Sequence, residues 1–369
     1  MTQHCDYLVI GGGIAGISAG SQLAEHGKTI VLEMEEVIGH HSTGRSAAVF
    51  IGNYGNAVIR ALNAVSEPTL INPQGICEGS VLSHRGLLML LDEEGHEDQL
   101  ETYEQGAVGL EKRSAEEALK MVPILDPSKI ASALYEPNAF DIDVDRLFQG
   151  YARLLKSRSG EIILSAPAME IERVEDQWTV KTPRGEFSAP ILINAAGAWA
   201  DKIAELAGVK TIGLIPKRRT LAILPLPDGV DCSTWPVFES SAESYYAKPE
   251  AGKLLVSPAD EDPVEPHDAF VDDMVLAEGL HHFEHAVNFS VTRVEHSWAG
   301  LRSFVEDRSP VVGFAPDAEG FFWLAGQGGY GIQTSPALSR LTADLCLNRP
   351  SELPEEIVAA LSPNRLPKT

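Results

Sequence analysis

Residues 7–16 read Tyr7-Leu8-Val9-Ile10-Gly11-Gly12-Gly13-Ile14-Ala15-Gly16, an apolar run of strand length that enters G-x-G-x-x-G without a break. The three glycines of such a turn have separate physical tasks: Gly11 permits the tight turn, Gly13 lets the backbone approach phosphate groups, and Gly16 lets the following helix pack closely on its strand. Ile14, Ile17 and Leu23 then recur at helical spacing with Ala15, Ala19 and Ala24 between them, and Gly27 stands where a left-handed helix stop is expected. A second strand, Thr29-Ile30-Val31-Leu32, leads to Glu33, twenty residues beyond Gly13, where a carboxylate accepts hydrogen bonds from ribose hydroxyls and disfavours a 2′-phosphate. Strand, glycine turn, helix, strand and acid together predict a dinucleotide site.

Working outward, 369 residues exceed what one compact core usually holds, so two domains, or one fold with a large insertion, are expected. A hydrophobic content of 44% and a charged content of 22% suit a globular chain, and no apolar run approaches the roughly eighteen residues of a membrane span. Neither stable membrane insertion nor a cleavable presequence is expected, since the cofactor strand starts at Asp6, and the reading is cytoplasmic. Cys5, Cys77, Cys232 and Cys346 lie far apart with no metal-ligand spacing, so they read as reduced thiols and no metal site is expected. The net charge of −24, from 53 acids against 29 bases, argues against nucleic acid or an anionic membrane as partner. The acidic clusters Glu35-Glu36, Asp92-Glu93-Glu94 and Asp260-Glu261-Asp262 read as solvated loops or helix ends, not as sites.

Further along, His40-His41-Ser42-Thr43-Gly44-Arg45-Ser46-Ala47-Ala48 is a polar loop of small residues suited to lie along a cofactor. Residues 87–91 read as a strand, 115–122 and 145–156 as helices, and 168–174, 178–180 and 190–194 as strands of a second nucleotide-domain section. Strand-rich sequence runs from Arg219 to Ser257, with Pro249-Glu250-Ala251-Gly252 as the turn of a hairpin. Near the C-terminal end, the strand Gly320–Ala325 opens into Gly326-Gln327-Gly328-Gly329-Tyr330-Gly331-Ile332-Gln333-Thr334-Ser335, and a helix with Ser335 as N-cap and Pro336 at its first position follows. The free amides of such a helix start suit the negative charge of a reduced flavin. A nucleotide turn at one end and a glycine-rich strand–helix turn at the other favour FAD over NAD.

The segments Gly11–Gly16 with Glu33, 41–48, 194–199, 216–219, 298–304 and 327–335 carry a resemblance that runs nearly end to end. The chain resembles the FAD-dependent D-amino-acid oxidase and dehydrogenase superfamily, which includes glycine oxidase and sarcosine oxidase, and most closely its bacterial D-arginine dehydrogenase type. That resemblance implies an α/β architecture: a Rossmann-like FAD-binding domain of the glutathione-reductase type, interleaved with a mixed-sheet α+β substrate-binding domain. Residues 1–78, 140–214 and 303–369 fall to the first and 79–139 and 215–302 to the second. It assigns FAD, without a covalent bond, to Gly11, Gly13, Ile14, Ala15, Gly16, Glu33, Ser42, Thr43, Arg45, Ser46, Ala47, Ala48, Ala168, Ala196, Gly197, Trp199 and the stretch Gly328, Gly329, Tyr330, Gly331, Ile332, Gln333 and Thr334. His40 and His41 mark the region where some relatives anchor flavin covalently.

The same resemblance gives the substrate carboxylate to Arg219 and Arg302, whose guanidinium forks pair bidentately with carboxylates. Strand alternation turns Arg218 away from Arg219, so at most one of the two reaches the site. Tyr54 matches a loop tyrosine that covers the site and Tyr246 a tyrosine that reaches the carboxylate, while Tyr245 points the other way. The backbone of Gly329, Tyr330 and Gly331 comes beside the flavin and the substrate amine, and Gln333 and Thr334 meet the flavin ring. The chain departs from the arginine-type pattern at Val49, where relatives carry histidine, and at Leu87, where they carry an acid. An apolar pair leaves a buried guanidinium unpaired, so apolar or aromatic side chains are expected. The implied reaction is oxidation of a free amino acid, the D-enantiomer, to an imino acid by hydride loss to flavin N5, followed by hydrolysis to a 2-oxo acid and ammonia. Oxidation of a 2-hydroxy acid or a secondary amine is the alternative, and oxygen and a quinone stay open as electron acceptors.

Overall fold

A computed structural model describes residues 2–91 and 103–367 of the chain; of the acidic clusters, Asp92-Glu93-Glu94 lies outside these. The glycine turn is built on a six-stranded sheet with the order 161–163, 29–32, 7–10, 191–194, 321–325, 311–314. Its strands are parallel except for the last, which returns as a hairpin. Side chains from both faces of these strands are buried. Leu8, Ile10, Ile30, Leu32, Phe321 and Trp323 enter one core, and Val9, Val31, Phe322 and Leu324 enter the other. This explains why the strands read as unbroken apolar runs instead of alternating ones. The helix Ile14–Leu23 packs on the second core between the helices Val144–Ser157 and Ser335–Cys346.

The first core is closed by a separate four-stranded sheet of Thr2–His4, Gly185–Ala189, Gln177–Thr182 and Glu170–Val174, through Trp178, Val180 and Phe187. The sequence reading has no strand at Gly185–Ala189. Gly185 and Glu186 hide it, and only its pairing with Gln177–Thr182 and Thr2–His4 defines it.

An eight-stranded sheet forms the rest, with the order 296–304, 215–224, 253–257, 246–250, 237–240, 87–91, 132–136, 111–114. Its two longest strands pair from Ile215 with Phe304 to Ile223 with His296. One face packs on the helix Asp273–Ala286 through Phe238, Tyr245, Ala247 and Phe283. The expected hairpin joins Tyr246–Glu250 to Lys253–Ser257 through Ala251 and Gly252, both at positive φ (50° and 77°), the backbone that a two-residue hairpin turn demands. Strands 49–51, 139–142 and 82–84 form a small fourth sheet. No described helix is long and apolar enough to cross a membrane.

Two expectations at helix ends are corrected. Gly27 does not adopt a left-handed stop; the first helix ends at Leu23, and the small residue instead permits close approach of Asp6, whose Oδ2 would lie 2.8 Å from a Cβ there. The C-terminal helix begins at Ser335 with Thr334 as N-cap, one residue earlier than expected, because the Ser335 hydroxyl donates back to the Ile332 carbonyl (2.9 Å) instead of capping the helix.

Gly11 sits at φ +113°, and a Cβ at Gly16 would overlap the Gly11 carbonyl oxygen. Gly16→Ala is therefore expected to lower stability by about 1–3 kcal/mol through overpacking and to weaken dinucleotide retention. An unchanged melting temperature with full cofactor content would contradict this.

Candidate active site

The turn keeps bare backbone where a pyrophosphate would lie. The Gly12 amide donates to Glu33 Oε2 (2.6 Å) and the Glu35 amide to Glu33 Oε1 (2.9 Å), which fixes the buried acid at the end of its strand. The Ile14 amide, at the start of the helix, donates to Thr43 Oγ1 (3.0 Å), and the Gly39 amide donates to the Gly12 carbonyl (3.0 Å). The 40–48 loop therefore lies across the glycine turn. At Gly13 a Cβ would stand 3.3 Å from Thr43 Oγ1, so a side chain would fill the cradle, and the donor set suits a dinucleotide. The C-terminal glycine turn lies beside it: a Cβ on Gly331 would lie 3.7 Å from Ile14, and Ile332 and Tyr330 join the same core.

Other residues assigned to the cofactor take varied positions. Ser42 Oγ donates to the Leu301 carbonyl (2.6 Å). Arg45 donates to the carbonyls of His40, Ala269 and Ala299 and pairs with Asp268, so its guanidinium ties the loop to the large sheet. Ser46 is exposed, and Ala47, Ala48, Ala168 and Ala196 are half-buried. Gly197 takes φ +55°, and Trp199 lies 4.5 Å from His41, centroid to centroid. His41 is hydrogen-bonded to Glu35 (3.0 Å). Gln333 Nε2 donates to Asn63 Oδ1 (2.7 Å) and Thr334 Oγ1 to the Tyr330 carbonyl (2.8 Å). Both side chains thus turn into the scaffold.

The arginine cluster is built by strand register. Lys217 pairs with Arg302 and Arg219 with Gly300, so Lys217, Arg219 and Arg302 share a face. Arg218 faces away, to Asp260, Asp262 and Asp272. Arg302 Nη2 donates to the Tyr54 hydroxyl (2.9 Å), and the Tyr54 ring meets Tyr330 edge to face at 5.0 Å. Bare backbone at Gly329 makes this possible, since a Cβ would overlap the Arg302 guanidinium. Gly328, at φ +52°, likewise admits the Phe304 ring. The Arg219 guanidinium stands 5.8 Å from the Tyr246 ring centroid, while Tyr245 packs on Phe283 in the opposite core. Burial works against the charge of Arg302, yet Tyr54, Glu261 and Tyr246 outweigh it and raise its pKa.

The reading of Asp260-Glu261-Asp262 as a solvated loop is corrected. Glu261 accepts from Lys217, Arg219, Arg302 and Arg308, and Asp260 accepts from the Thr220 amide and hydroxyl. Partial burial opposes ionisation of Glu261, but Arg308, Arg302 and Lys217 prevail and hold its pKa at about 2.

Val49 and Leu87 belong to one small apolar cluster with Ile51, Ala139 and Val237. Two acids on the same sheet face escaped the sequence reading. Glu136 pairs with Leu87, and Glu239 pairs with both Met89 and Tyr246. Glu136 accepts from the Asn53 amide (3.3 Å) and the Tyr103 hydroxyl (3.1 Å), and burial raises its pKa. Glu239 has no hydrogen bond or ion pair among the described residues, and burial, then Glu243 and Glu136, push its carboxyl up to about 7 against the pull of Arg219. The alternation Val237-Phe238-Glu239 hints at the face Glu239 takes, but only the strand order reveals its neighbours.

A family model described as FAD dependent oxidoreductase matches residues 6–345. Glycine oxidase of Geobacillus kaustophilus (strain HTA426) is 25% identical over 365 residues, which cover 94% of this chain and 93% of the relative. FAD-dependent oxidoreductase domain-containing protein 1 of Bos taurus is 24% identical over 408 residues, covering 94% and 82%. Among solved structures, glycine oxidase from Geobacillus kaustophilus superposes with a TM-score of 0.85 at 23% identity over 99% of both chains. Dithionite-reduced L-α-glycerophosphate oxidase from Mycoplasma pneumoniae with FAD bound gives 0.84 at 19% identity, over 96% of this chain and 97% of that one. At these identities the superpositions speak for the fold alone.

Two outcomes are expected. Tyr246→Phe raises KM for a carboxylate substrate, whereas Tyr245→Phe, on the other face, leaves it unchanged; equal effects would refute the facing assignment. Because the folded pKa of Glu239 lies above its ordinary value, this group takes stability away as pH rises from about 4.5 to about 7. Glu239→Gln should therefore raise the melting temperature relative to the parent more at pH 8 than at pH 5, and the reverse order would show that the acid has a partner.

Proposed function

Because the chain belongs to the FAD-dependent oxidoreductase family over residues 6–345, we propose that it oxidises a free α-amino acid, the D-enantiomer, to an imino acid that water converts to a 2-oxo acid and ammonia. One observation carries this reading: Arg302, held by Tyr54 against the bare backbone of Gly329, shares a sheet face with Arg219 and Tyr246. Two guanidinium forks with flanking hydroxyls and aromatic rings are suited to grip one carboxylate and fix the attached carbon.

FAD, when bound, supplies the two-electron acceptor for the substrate's Cα–H hydride. The chain's own part is placement. Arg219 and Arg302 bind the carboxylate, Tyr54 and Tyr246 close over it, and the backbone of Gly329 and Tyr330 borders the amine. The amine must lose its proton before its lone pair can assist hydride departure, so the rate rises with pH. At the side-chain end Val49, Leu87, Ile51 and Val237 form an apolar wall. That wall favours apolar or aromatic side chains, while Glu239 and Glu136 on the same sheet face are acids that a cationic side chain would pair with, which makes it the competing occupant. The arginines recognise only a carboxylate, so a secondary-amine acid or a 2-hydroxy acid is the second reading. FAD is held without a covalent bond. Oxygen or a quinone takes the electrons. Four free cysteines fit a cytoplasmic setting.

The test is anaerobic mixing of the purified holoenzyme with matched D- and L-amino acids while the visible flavin band is followed. Bleaching by D-leucine, D-methionine or D-phenylalanine and not by their L-forms is the expected result. Bleaching by L-forms alone would reverse the stereochemical assignment, and no bleaching by any amino acid would transfer the reading to hydroxy acids and secondary amines.

A further inference from the structure

We propose that Glu261 is a resident carboxylate that fills the outer of two anion seats on the arginine cluster, so that the site selects substrates with one carboxylate over those with two. The proposal rests on the reading of Arg219 and Arg302 as the substrate's carboxylate ligands.

The segment 260–262 runs alongside the strand Ile215–Leu224 and is pinned on both sides of Glu261. The Arg219 Nε donates to the Asp260 carbonyl (2.9 Å), and the Arg218 amide donates to the Asp262 carbonyl (2.9 Å). The Asp260 carboxylate accepts from the Thr220 amide (2.6 Å) and hydroxyl (2.9 Å). Held this way, Glu261 reaches Lys217 Nζ at 3.2 Å, Arg219 Nη2 at 3.3 Å, Arg302 Nη1 at 3.2 Å and both terminal nitrogens of Arg308 at 2.9 Å.

Exposure orders the cluster from inside to outside. The side chains of Arg219 and Arg302 are each 12% exposed, Lys217 23%, Glu261 24% and Arg308 42%. Glu261, like Lys217 and Arg308, is therefore more exposed than the two guanidinium groups it joins. The inner side is bordered by the Tyr54 hydroxyl, the Tyr246 ring and the Gly329 backbone. Four positive charges face one resident acid, and Nη1 of Arg219 donates to none of the described residues. One further carboxylate is well accommodated at the inner seat. A second carboxylate on the same small molecule would have to reach the outer seat, where it meets Glu261 and like charges oppose each other at short range. Without the Glu261 carboxylate, Arg308 and Lys217 stand ready to receive that second group.

The experiment compares acetate and malonate as ligands of the FAD-loaded protein, titrated by perturbation of the flavin spectrum, in the parent, Glu261→Ala, Glu261→Gln and Glu261→Asp forms. The parent should bind acetate at least as tightly as malonate. Glu261→Ala should shift the malonate-to-acetate preference at least tenfold toward malonate, and Glu261→Gln should shift it in the same direction, which keeps the comparison if the alanine form does not retain FAD. Glu261→Asp, which keeps the charge, should preserve the parent's preference. An unchanged ratio in both neutral variants, or an aspartate variant that behaves like them, overturns the proposal. If no amino acid bleaches the parent flavin, the substrate assignment fails, whereas these titrations need no turnover and still decide the role of Glu261.

Discussion

One parallel register at the middle of the six-stranded sheet underlies the rest of the molecule. Ile10 pairs with Leu32 on one side and Asn194 on the other, and Asn194 pairs in turn with Trp323. Four strands thereby end along one edge, and the segments that leave it are the glycine turn, Glu33, the 195–199 turn and the second glycine-rich turn. Crevices at the carboxyl edge of parallel strands are where open α/β sheets bind ligands. Asn194 reinforces the edge, since its side chain donates to the Ala200 carbonyl (2.8 Å) and holds the exit of its strand.

The large sheet meets this edge through few but specific ties. Arg45 joins the cofactor loop to residues 268, 269 and 299, and the Trp298 indole donates to the Arg45 carbonyl (3.0 Å). Tyr54 reaches Arg302 from the loop that follows the strand Val49–Ile51. The two halves therefore share side chains between the 40–48 loop, the large sheet and the arginine cluster. The charge pattern there is the reverse of the whole: a chain with net charge −24 gathers Lys217, Arg219, Arg302 and Arg308 around one acid. Positive charge gathered at one place on an acidic protein draws anions there and away from the remaining surface.

What the sequence discloses and what it conceals follow from how local each feature is. The run Tyr7–Gly16 and the strand ending at Glu33 are legible because turn, helix and strand are adjacent in the chain and each glycine answers a short-range constraint. The faces of Arg218 and Arg219, and of Tyr245 and Tyr246, follow from alternation alone. Glu261 and Glu239 are different. An acidic triplet in a loop has the composition of a solvated segment, and only the partner strands, with Arg302 some forty residues farther along the chain, convert Glu261 into the centre of a cation cluster. Glu239 becomes a neighbour of Leu87 and Met89 only because the strand order places Val237–Ser240 beside Leu87–Leu91, a choice that no short stretch of sequence encodes. The helix-end corrections at Gly27 and Thr334 are of another kind, since side-chain and backbone hydrogen bonds compete there on nearly equal terms.

The interleaving of segments also sets a schedule for synthesis. The first glycine turn lies within the opening sixteen residues, yet the strand that carries it has neighbours at 29–32 and 191–194, and the second glycine turn that lies beside it comes after residue 325. At about 5–20 residues per second on the ribosome, the N-terminal strand waits tens of seconds for the last of these to emerge. Until residues 191–194 emerge, its open edge has only the 29–32 strand for a neighbour. A nascent chain of this topology has to be shielded until more than half of it has been made.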